Sequence, residues 1–308
     1  MHHAGFVIGE KNMQIQWYPG HMAKAKRLLA EQLRRVDVVV ELCDARLPFS
    51  SRNPDLAHMA AGKRRLLVLG KADLADEAET KRWLARFAAR GETAFAFNAA
   101  RGRAQDAARQ IEKITADVVE RQAARGVRKT VRAMIVGVPN TGKSTFINRL
   151  NGTPVAVTGD RPGVTRANRW VRVSPYLELL DTPGLLWPRL DDRRAAERLA
   201  WLGTIRDEIL DVEALAASLL ETLMAMRPAA TAERFKLNGE ERPSGRALLE
   251  AVCRGRGFLM AGGLADTARG AAIVLDEFRA GKIGRVTLEK AGGDAPKEPT
   301  CEKAPQSD

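Results

Sequence analysis

The sequence predicts an α/β fold in which a mostly parallel sheet carries helices on both faces and is followed by a small helical domain. Short apolar runs of strand length alternate with amphipathic helical segments over residues 36–180, the pattern of repeated strand–helix–strand units. A glycine-rich segment, GVPNTGKS at 137–144, directly follows one of these runs and opens a helix. The strand signal stops after Ile205, and helical periodicity interrupted by glycines follows.

The individual elements follow from the same patterns. Residues 36–43 are almost continuously apolar, which predicts a strand buried on both faces. Further strands are predicted at 66–69, 94–97, 131–136, 169–173 and 177–180. Helices are predicted in a basic segment within 14–35, at 77–89 and 103–124, from 143, and at 211–226, 245–254 and 265–280.

Composition is that of a globular protein, with 45% hydrophobic and 29% charged residues in 308. No apolar run approaches the roughly 20 residues that a membrane span needs, and the first residues carry no targeting pattern. The three cysteines are scattered and have no neighbouring histidine, which excludes a disulfide framework and a zinc site. We therefore expect a cytoplasmic, monomeric protein in a reducing compartment.

The charge distribution predicts a polyanionic partner. The net charge is +12, and residues 1–200 hold 35 lysines and arginines against 21 acidic residues. Residues 201–308 hold 15 against 17. The basic surplus in the N-terminal part favours contact with nucleic acid; the alternative is that many of these charges form ordinary solvated helix faces.

The GVPNTGKS segment matches the phosphate-binding pattern GxxxxGK[ST] in its required place between a strand and a helix. Its glycines let backbone N–H groups close on phosphates, and the helix N-terminus favours an anion. Lys143 is expected to reach the β- and γ-phosphates, and Ser144 to ligate Mg²⁺. The predicted nucleotide-binding residues of this loop are Pro139, Asn140, Thr141, Gly142, Lys143, Ser144 and Thr145.

A second motif, DTPG at 181–184, ends a strand downstream of this loop. Asp181 is expected to hold Mg²⁺ through water, and Gly184 to move toward the γ-phosphate. Thr165 lies between the two motifs in a polar stretch and is the expected switch threonine and Mg²⁺ ligand. The alternative interpretation is that Thr165 is an ordinary threonine of a loop. Lys143, Thr165 and Gly184 are therefore predicted to act in catalysis.

The base-reading motif is predicted upstream of the phosphate loop, where strand 66–69 runs into GKAD at 70–73. Asp73 can accept both N–H groups of the Watson–Crick edge of guanine, which adenine cannot match. Lys71 is expected to lie over the base. Asn98 and Ala99 are predicted to bind the nucleotide, with the backbone N–H of Ala99 meeting the guanine carbonyl. This order of motifs predicts a P-loop GTPase domain of circularly permuted topology that binds GTP and GDP.

Gly70 departs from the usual pattern, in which an asparagine side chain ties the base-reading loop to the phosphate loop. Without that amide we expect weaker nucleotide binding, and we expect Gly70→Asn to tighten GDP binding several-fold.

Several segments together resemble the ribosome biogenesis GTPase A family, a group of circularly permuted bacterial GTPases that act in large-subunit maturation. They are WYPGHM at 17–22, DARLP at 44–48, the permuted motif order, Gly263, and FRAGKIG at 278–284. The resemblance covers residues 14–288. It implies GTP and Mg²⁺, binding to the large ribosomal subunit or its precursor late in assembly, and a C-terminal helical domain that touches ribosomal RNA.

The resemblance also bears on hydrolysis. Leu185 stands where many GTPases have a glutamine that orients the attacking water, and the resemblance offers His21 for this role. The alternative is that His21 packs at the start of the basic helix. In similar GTPases an asparagine at the position of Asn140 helps to bind K⁺; the alternative is an asparagine that stabilises the loop.

These observations divide the chain into a GTP-binding domain at 14–204, a helical RNA- or ribosome-binding domain at 205–290 and a disordered tail at 291–308. A small-molecule kinase is disfavoured by Asp73 and the DTPG switch. A nucleotide-gated RNA-binding module with negligible hydrolysis remains the alternative because of Leu185 and Gly70. Arginines of the helical domain form either a phosphate-contacting stripe or a salt-bridged surface; they are Arg242, Arg246, Arg254 and Arg256.

Overall fold

The computed structural model describes residues 27–99, 101–102, 104–155, 169–183, 193–237 and 243–293. In these ranges the six strands form one sheet in the order β3-β2-β1-β4-β6-β5. Only β5 is antiparallel to its neighbour, so the predicted mostly parallel sheet is confirmed. The strands are β1 (Val38–Asp44), β2 (Arg64–Gly70), β3 (Ala94–Ala96), β4 (Val131–Val136), β5 (Arg169–Ser174) and β6 (Leu177–Asp181).

The predicted helices all occur, and three further ones, α2, α6 and α8, were not predicted. Pro228 begins α8 at a helix position where its missing N–H costs nothing. Along the described residues the helices are α1 (27–33), α2 (Leu56–Met59), α3 (Glu77–Ala89), α4 (Ala104–Ala123), α5 (Lys143–Asn151), α6 (Arg193–Trp201), α7 (Val212–Met226), α8 (Pro228–Phe235), α9 (Gly245–Arg256) and α10 (Thr267–Arg279). None of these helices is long and apolar enough to cross a membrane.

The central strand β1 is buried along its whole length, as its continuous apolar sequence predicts. Val38, Val40 and Leu42 face a core shared with α4 and α5. Val39 faces a core shared with α1 and α2, while Cys43 packs with α3. Helices therefore cover both faces of the sheet, and the carboxyl ends of the parallel strands are left to form a site.

The helical domain consists of α7, α8, α9 and α10 around an apolar core that does not stop at the sheet. Leu47 and Val138, from loops at the carboxyl edge of β1 and β4, belong to the same cluster as Leu219 and Val274 of α7 and α10. The turn after α6 also contributes, through Leu202. The two parts of the chain thus share one continuous core at the edge of the sheet where the sequence places the nucleotide.

Residues 282–291 return from α10 to the sheet. The backbone N–H of Val286 donates to the carbonyl of Leu74 at 3.0 Å, and that of Leu288 to the carbonyl of Arg46 at 2.8 Å. The indole N–H of Trp83 donates to the carbonyl of Glu289 at 3.0 Å. This segment therefore fixes the helical domain against the loop that follows the base-reading motif. Most of the predicted tail, 294–308, lies outside the described residues.

Candidate nucleotide site

The loop between β4 and α5 is shaped by a close backbone approach. A Cβ atom on Gly137 would lie 2.3 Å from the carbonyl oxygen of Leu42, so only glycine lets the chain pass β1 here. The hydroxyl of Thr141 donates to the carbonyl of Val138 at 2.9 Å and closes the loop. Helix α5 begins directly after Gly142, and the N-terminus of a helix favours an anion at this predicted position.

Lys143 is buried inside this loop. Its ammonium group donates to the carbonyls of Gly137 at 3.1 Å and Val138 at 2.8 Å. Burial lowers its pKa to about 8, although the Asp181 carboxylate favours the charged form. Among the described residues this ammonium donates to neutral carbonyls, so it gains from an incoming phosphate, which would supply negative charge.

Asp181 ends β6 beside the phosphate loop, where it is paired in register with Ile135 of β4. Its Oδ1 atom is buried and has no hydrogen-bond partner among the described residues. Burial raises the pKa of this carboxyl, while Lys143 and Arg169 act in the opposite direction. A buried carboxylate oxygen without a hydrogen-bond donor is costly unless something binds it.

The base-reading loop lies next to the phosphate loop because β2 and β4 flank β1 in the sheet. Lys71, in the left-handed backbone region, donates from Nζ to the carbonyl of Asn140, and its Nζ lies 3.4 Å from Oδ2 of Asp44. Asp73 is half-buried in the turn that follows. The two motifs that the sequence separates by some sixty residues therefore meet at one edge.

The loop after β3 completes this edge. The backbone N–H of Ala72 donates to the carbonyl of Phe97 at 3.3 Å, which places the Asn98 loop beside the base-reading loop. Oδ1 of Asn98 accepts the N–H of Arg101 at 3.1 Å, and the carbonyl of Ala99 accepts Nε of Arg149 from α5. The structure thus brings together the predicted residues Lys71, Asp73, Asn98, Ala99 and 139–145. His21, Thr165 and Gly184 lie outside the described residues.

Gly70 does not leave the base-reading loop without a connection to the phosphate loop, and weaker nucleotide binding than with asparagine stays a prediction. The Lys71 ammonium makes the connection to the phosphate loop that the sequence analysis assigned to an asparagine amide. A Cβ atom on Gly70 would lie 3.1 Å from the carbonyl oxygen of Thr141 and 3.4 Å from that of Cys43. The backbones of the two loops are thus packed together through glycine, and a larger residue must push them apart.

Two contacts at this edge are not predicted by the sequence. Arg46 is buried and its guanidinium forks onto the carboxylate of Asp44, at 2.9 Å to Oδ1 and 2.8 Å to Oδ2. The side-chain N–H of Asn140 donates to the carbonyl of Gly203 at 2.5 Å. Both contacts join positions that sequence spacing alone cannot bring together.

The arginines of α9 form salt bridges, which agrees with the predicted alternative of a salt-bridged surface. Arg246 and Arg254 both pair with Glu250, at 3.5 Å and 3.0 Å. Arg256 pairs at 3.2 Å with Glu277 of α10. Arg242 lies outside the described residues. The charges of this helix are therefore largely neutralised by their own neighbours.

The fold and the site define a P-loop GTPase. The phosphate loop follows β4, the DTPG aspartate ends the adjacent β6, and the base-reading loop follows β2. Because β2 precedes β4 along the chain, the motifs stand in circularly permuted order.

Comparison with known proteins gives the particular family. A family model described as a 50S ribosome-binding GTPase matches residues 132–229. The Ribosome biogenesis GTPase A of Bacillus cereus is 45% identical over 280 residues, which cover 90% of this chain and 94% of that protein. The chain belongs to the ribosome biogenesis GTPase A family, and it is a GTP-hydrolysing enzyme.

Solved structures support the same assignment. A GDP-bound structure of TM YlqF matches with a TM-score of 0.62 and 27% identity, covering 86% of this chain and 99% of that one. A GNP-bound structure of YlqF from T. maritima matches with a TM-score of 0.63 and 27% identity, covering 87% and 99%.

Proposed function

We propose that this GTPase binds the large ribosomal subunit or its precursor in the cytoplasm and couples GTP hydrolysis to late subunit assembly. The observation that carries the proposal is membership of the family over 90% of the chain. The basic surplus of residues 1–200 is consistent with ribosomal RNA as the polyanionic partner.

Within the site, Asp73 selects guanine and Lys143 neutralises phosphate charge. Oδ1 of Asp181, which has no hydrogen-bond donor in the described part of the chain, and the hydroxyl of Ser144 are oxygen ligands of the kind that Mg²⁺ prefers. These two residues fit the ion, and Thr165 is the third proposed ligand. Bound Mg²⁺ would neutralise charge on the phosphates, and Gly184 would follow the γ-phosphate.

K⁺ is the further cation proposed for this site, with Asn140 as its ligand. The side-chain N–H of Asn140 donates to Gly203, which directly supports the alternative role of stabilising the loop. A carbonyl oxygen such as Oδ1 is the atom type that suits K⁺. Replacement of K⁺ by Na⁺ in a turnover assay separates the two roles. An unchanged rate would show that Asn140 stabilises the loop and does not bind a catalytic K⁺.

His21 is proposed to orient the attacking water. Loss of a group that positions or accepts a proton lowers turnover by about 10²-fold, so His21→Ala should show this fall with GDP affinity nearly unchanged. His58, a described residue of α2, offers a control as His58→Ala. Normal turnover of His21→Ala in the presence of large subunits would assign His21 to packing.

The partner is tested by cosedimentation with purified large and small subunits in the GDP-bound, GTP-analogue-bound and empty states. We expect binding to the large subunit in the analogue-bound state, weakening as salt rises because phosphate contacts release counterions. Equal cosedimentation in all three states, or a preference for the small subunit, would overturn the proposal.

A further inference from the structure

The end of α10 is fixed to the sheet by a contact between two segments that the mechanism leaves unused, DARLP at 44–48 and FRAGKIG at 278–284. Nη1 of Arg46 donates to the carbonyls of Phe278 at 3.2 Å and Arg279 at 3.3 Å. These are among the last carbonyls of the helix, which lack partners within it. Since Arg46 is also held by Asp44, the C-terminus of α10 has a fixed position relative to the end of β1.

From this position the side chain of Arg279 reaches the end of α6 and Asp207, on the two sides of the turn that contains Gly203. Its Nε donates to the carbonyl of Trp201 at 3.0 Å, and its Nη2 to the carbonyl of Ala200 at 3.1 Å. The same guanidinium forks onto the carboxylate of Asp207 at 2.6 and 2.8 Å. Four directed contacts from one planar group hold the turn with little freedom.

The turn held by Arg279 contacts the phosphate loop. The carbonyl of Gly203 accepts the side-chain N–H of Asn140. A Cβ atom on Gly203 would lie 3.1 Å from Nε of Arg279 and 3.3 Å from Nδ2 of Asn140. Gly203 therefore lies between the two side chains and is close to both. Asn140 itself has a φ of 62°, a conformation that costs energy outside glycine and persists where neighbours enforce it.

We propose that Arg279 is a positioning residue of the nucleotide site, acting on the phosphate-binding loop through Gly203 and Asn140. The Asn140 carbonyl accepts a hydrogen bond from the Lys71 ammonium. Asn140 therefore also links the phosphate-binding loop to the base-reading loop. The helical domain thereby stabilises the conformation of both loops that a nucleotide needs. By thermodynamic linkage, a bound nucleotide stabilises the docking of α10 to the same extent.

The test is the dissociation rate of a fluorescent GDP from the purified chain carrying Arg279→Gln. Arg256→Gln is the matched control, because it removes a half-buried pair with Glu277 of the same helix, away from Gly203. We expect Arg279→Gln to release GDP about five-fold faster or more, the lower end of typical couplings between sites, and the control to differ less than about two-fold. Equal rates for the two variants, or no change in either, would overturn the proposal.

A double-mutant cycle distinguishes an effect of Arg279 that acts through Asn140 from a general loss of rigidity in the protein. Asn140→Gly removes the amide and accepts the positive φ without strain. If Arg279 acts through Asn140, the effects of Arg279→Gln and Asn140→Gly on GDP release are less than additive, whereas independent effects add and would contradict the route. If Arg279→Gln does not fold, Asp207→Asn weakens the same fork and must also speed release, with Glu208→Gln as its control.

The proposal goes beyond the proposed function and rests only on the guanine-nucleotide site. GDP release is measured without ribosomal subunits, so a failure of the ribosomal partner leaves this result unaffected.

Discussion

The phosphate-binding loop and the base-reading loop meet at one edge of the sheet but follow their sequence patterns to different degrees. In the phosphate loop, the motif positions Gly137 and Lys143 have the close approach and the buried ammonium that the pattern predicts. In the base-reading loop the usual asparagine is Gly70, and Lys71 makes the connection instead. Few residue types allow backbone N–H groups to surround a phosphate, so the pattern of the phosphate loop is strict. A hydrogen bond between two loops can be made by any donor side chain within reach.

The largest expected effect is on the phosphate side. Lys143→Met should lower GTP turnover by about 10²-fold or more, because a positioned charge on the transferred phosphoryl group is lost. Since burial disfavours the charged form of Lys143, the free energy of unfolding without nucleotide should not fall. Phosphate release and chemical denaturation are the two measurements, with the exposed Lys113→Ala as control. A variant that keeps its turnover would remove Lys143 from the site.

A smaller effect concerns the ion pair beside the base-reading loop. Burial alone would raise the pKa of Asp44, but Arg46 and Lys71 outweigh it and lower the pKa from 3.8 to about 2. A lowered pKa in the folded state gives stability that is complete above pH 3.8 and is lost as the pH falls toward 2. The difference corresponds to about 2 kcal/mol in the free energy of unfolding.

This contribution is measured by denaturant unfolding between pH 4 and pH 2. Asp44→Asn alone would leave the Arg46 guanidinium buried without its partner, so the comparison is with the double variant Asp44→Asn/Arg46→Gln. The original chain should lose about 2 kcal/mol more than the double variant over this range. Parallel pH profiles would show that the pair does not stabilise the fold.

The smallest expected effect is that of Gly70→Asn, which with Lys71→Met distinguishes the two ways of tying the base-reading loop. Gly70→Asn should leave GDP affinity unchanged or weaken it a few-fold, because its Cβ atom presses on Thr141, while Lys71→Met should weaken it by about one hydrogen bond to a charged group, 1.5–3 kcal/mol. Gly292→Asn, in an open position without a left-handed backbone, is the control. A several-fold gain in GDP affinity from Gly70→Asn would instead show that the loop needs the asparagine side chain as its connection.

The sequence predicts well those features that depend on neighbouring residues. The continuous apolar run at 36–43 predicts β1 because a strand buried on both faces must be apolar, and GVPNTGKS predicts the β4–α5 turn because phosphate binding fixes its residue types. The six strands, the parallel sheet and the permuted order are confirmed on this basis.

The remaining features depend on contacts between distant positions. Helix α6 was missed, and with it the contact of Gly203 with Asn140, because neither residue has a local pattern that names its partner. The substitution of Lys71 for an asparagine tie was missed for the same reason. The arginines of α9 show the converse, since Glu250 and Arg254 are four residues apart and their pairing was open to prediction.

The central claim, that the loop after β2 reads guanine ahead of the phosphate loop in the chain, is tested most directly by titrating Asp73→Asn with GDP and with XDP. An amide presents a donor where guanine needs acceptors and suits the additional carbonyl of xanthine. We expect GDP affinity to fall by about ten-fold or more, the worth of hydrogen bonds to a charged group, and XDP affinity to rise. Asp106→Asn, at an exposed side chain of α4, should change neither. An unchanged preference for GDP in Asp73→Asn would contradict the account and place the base-reading site elsewhere.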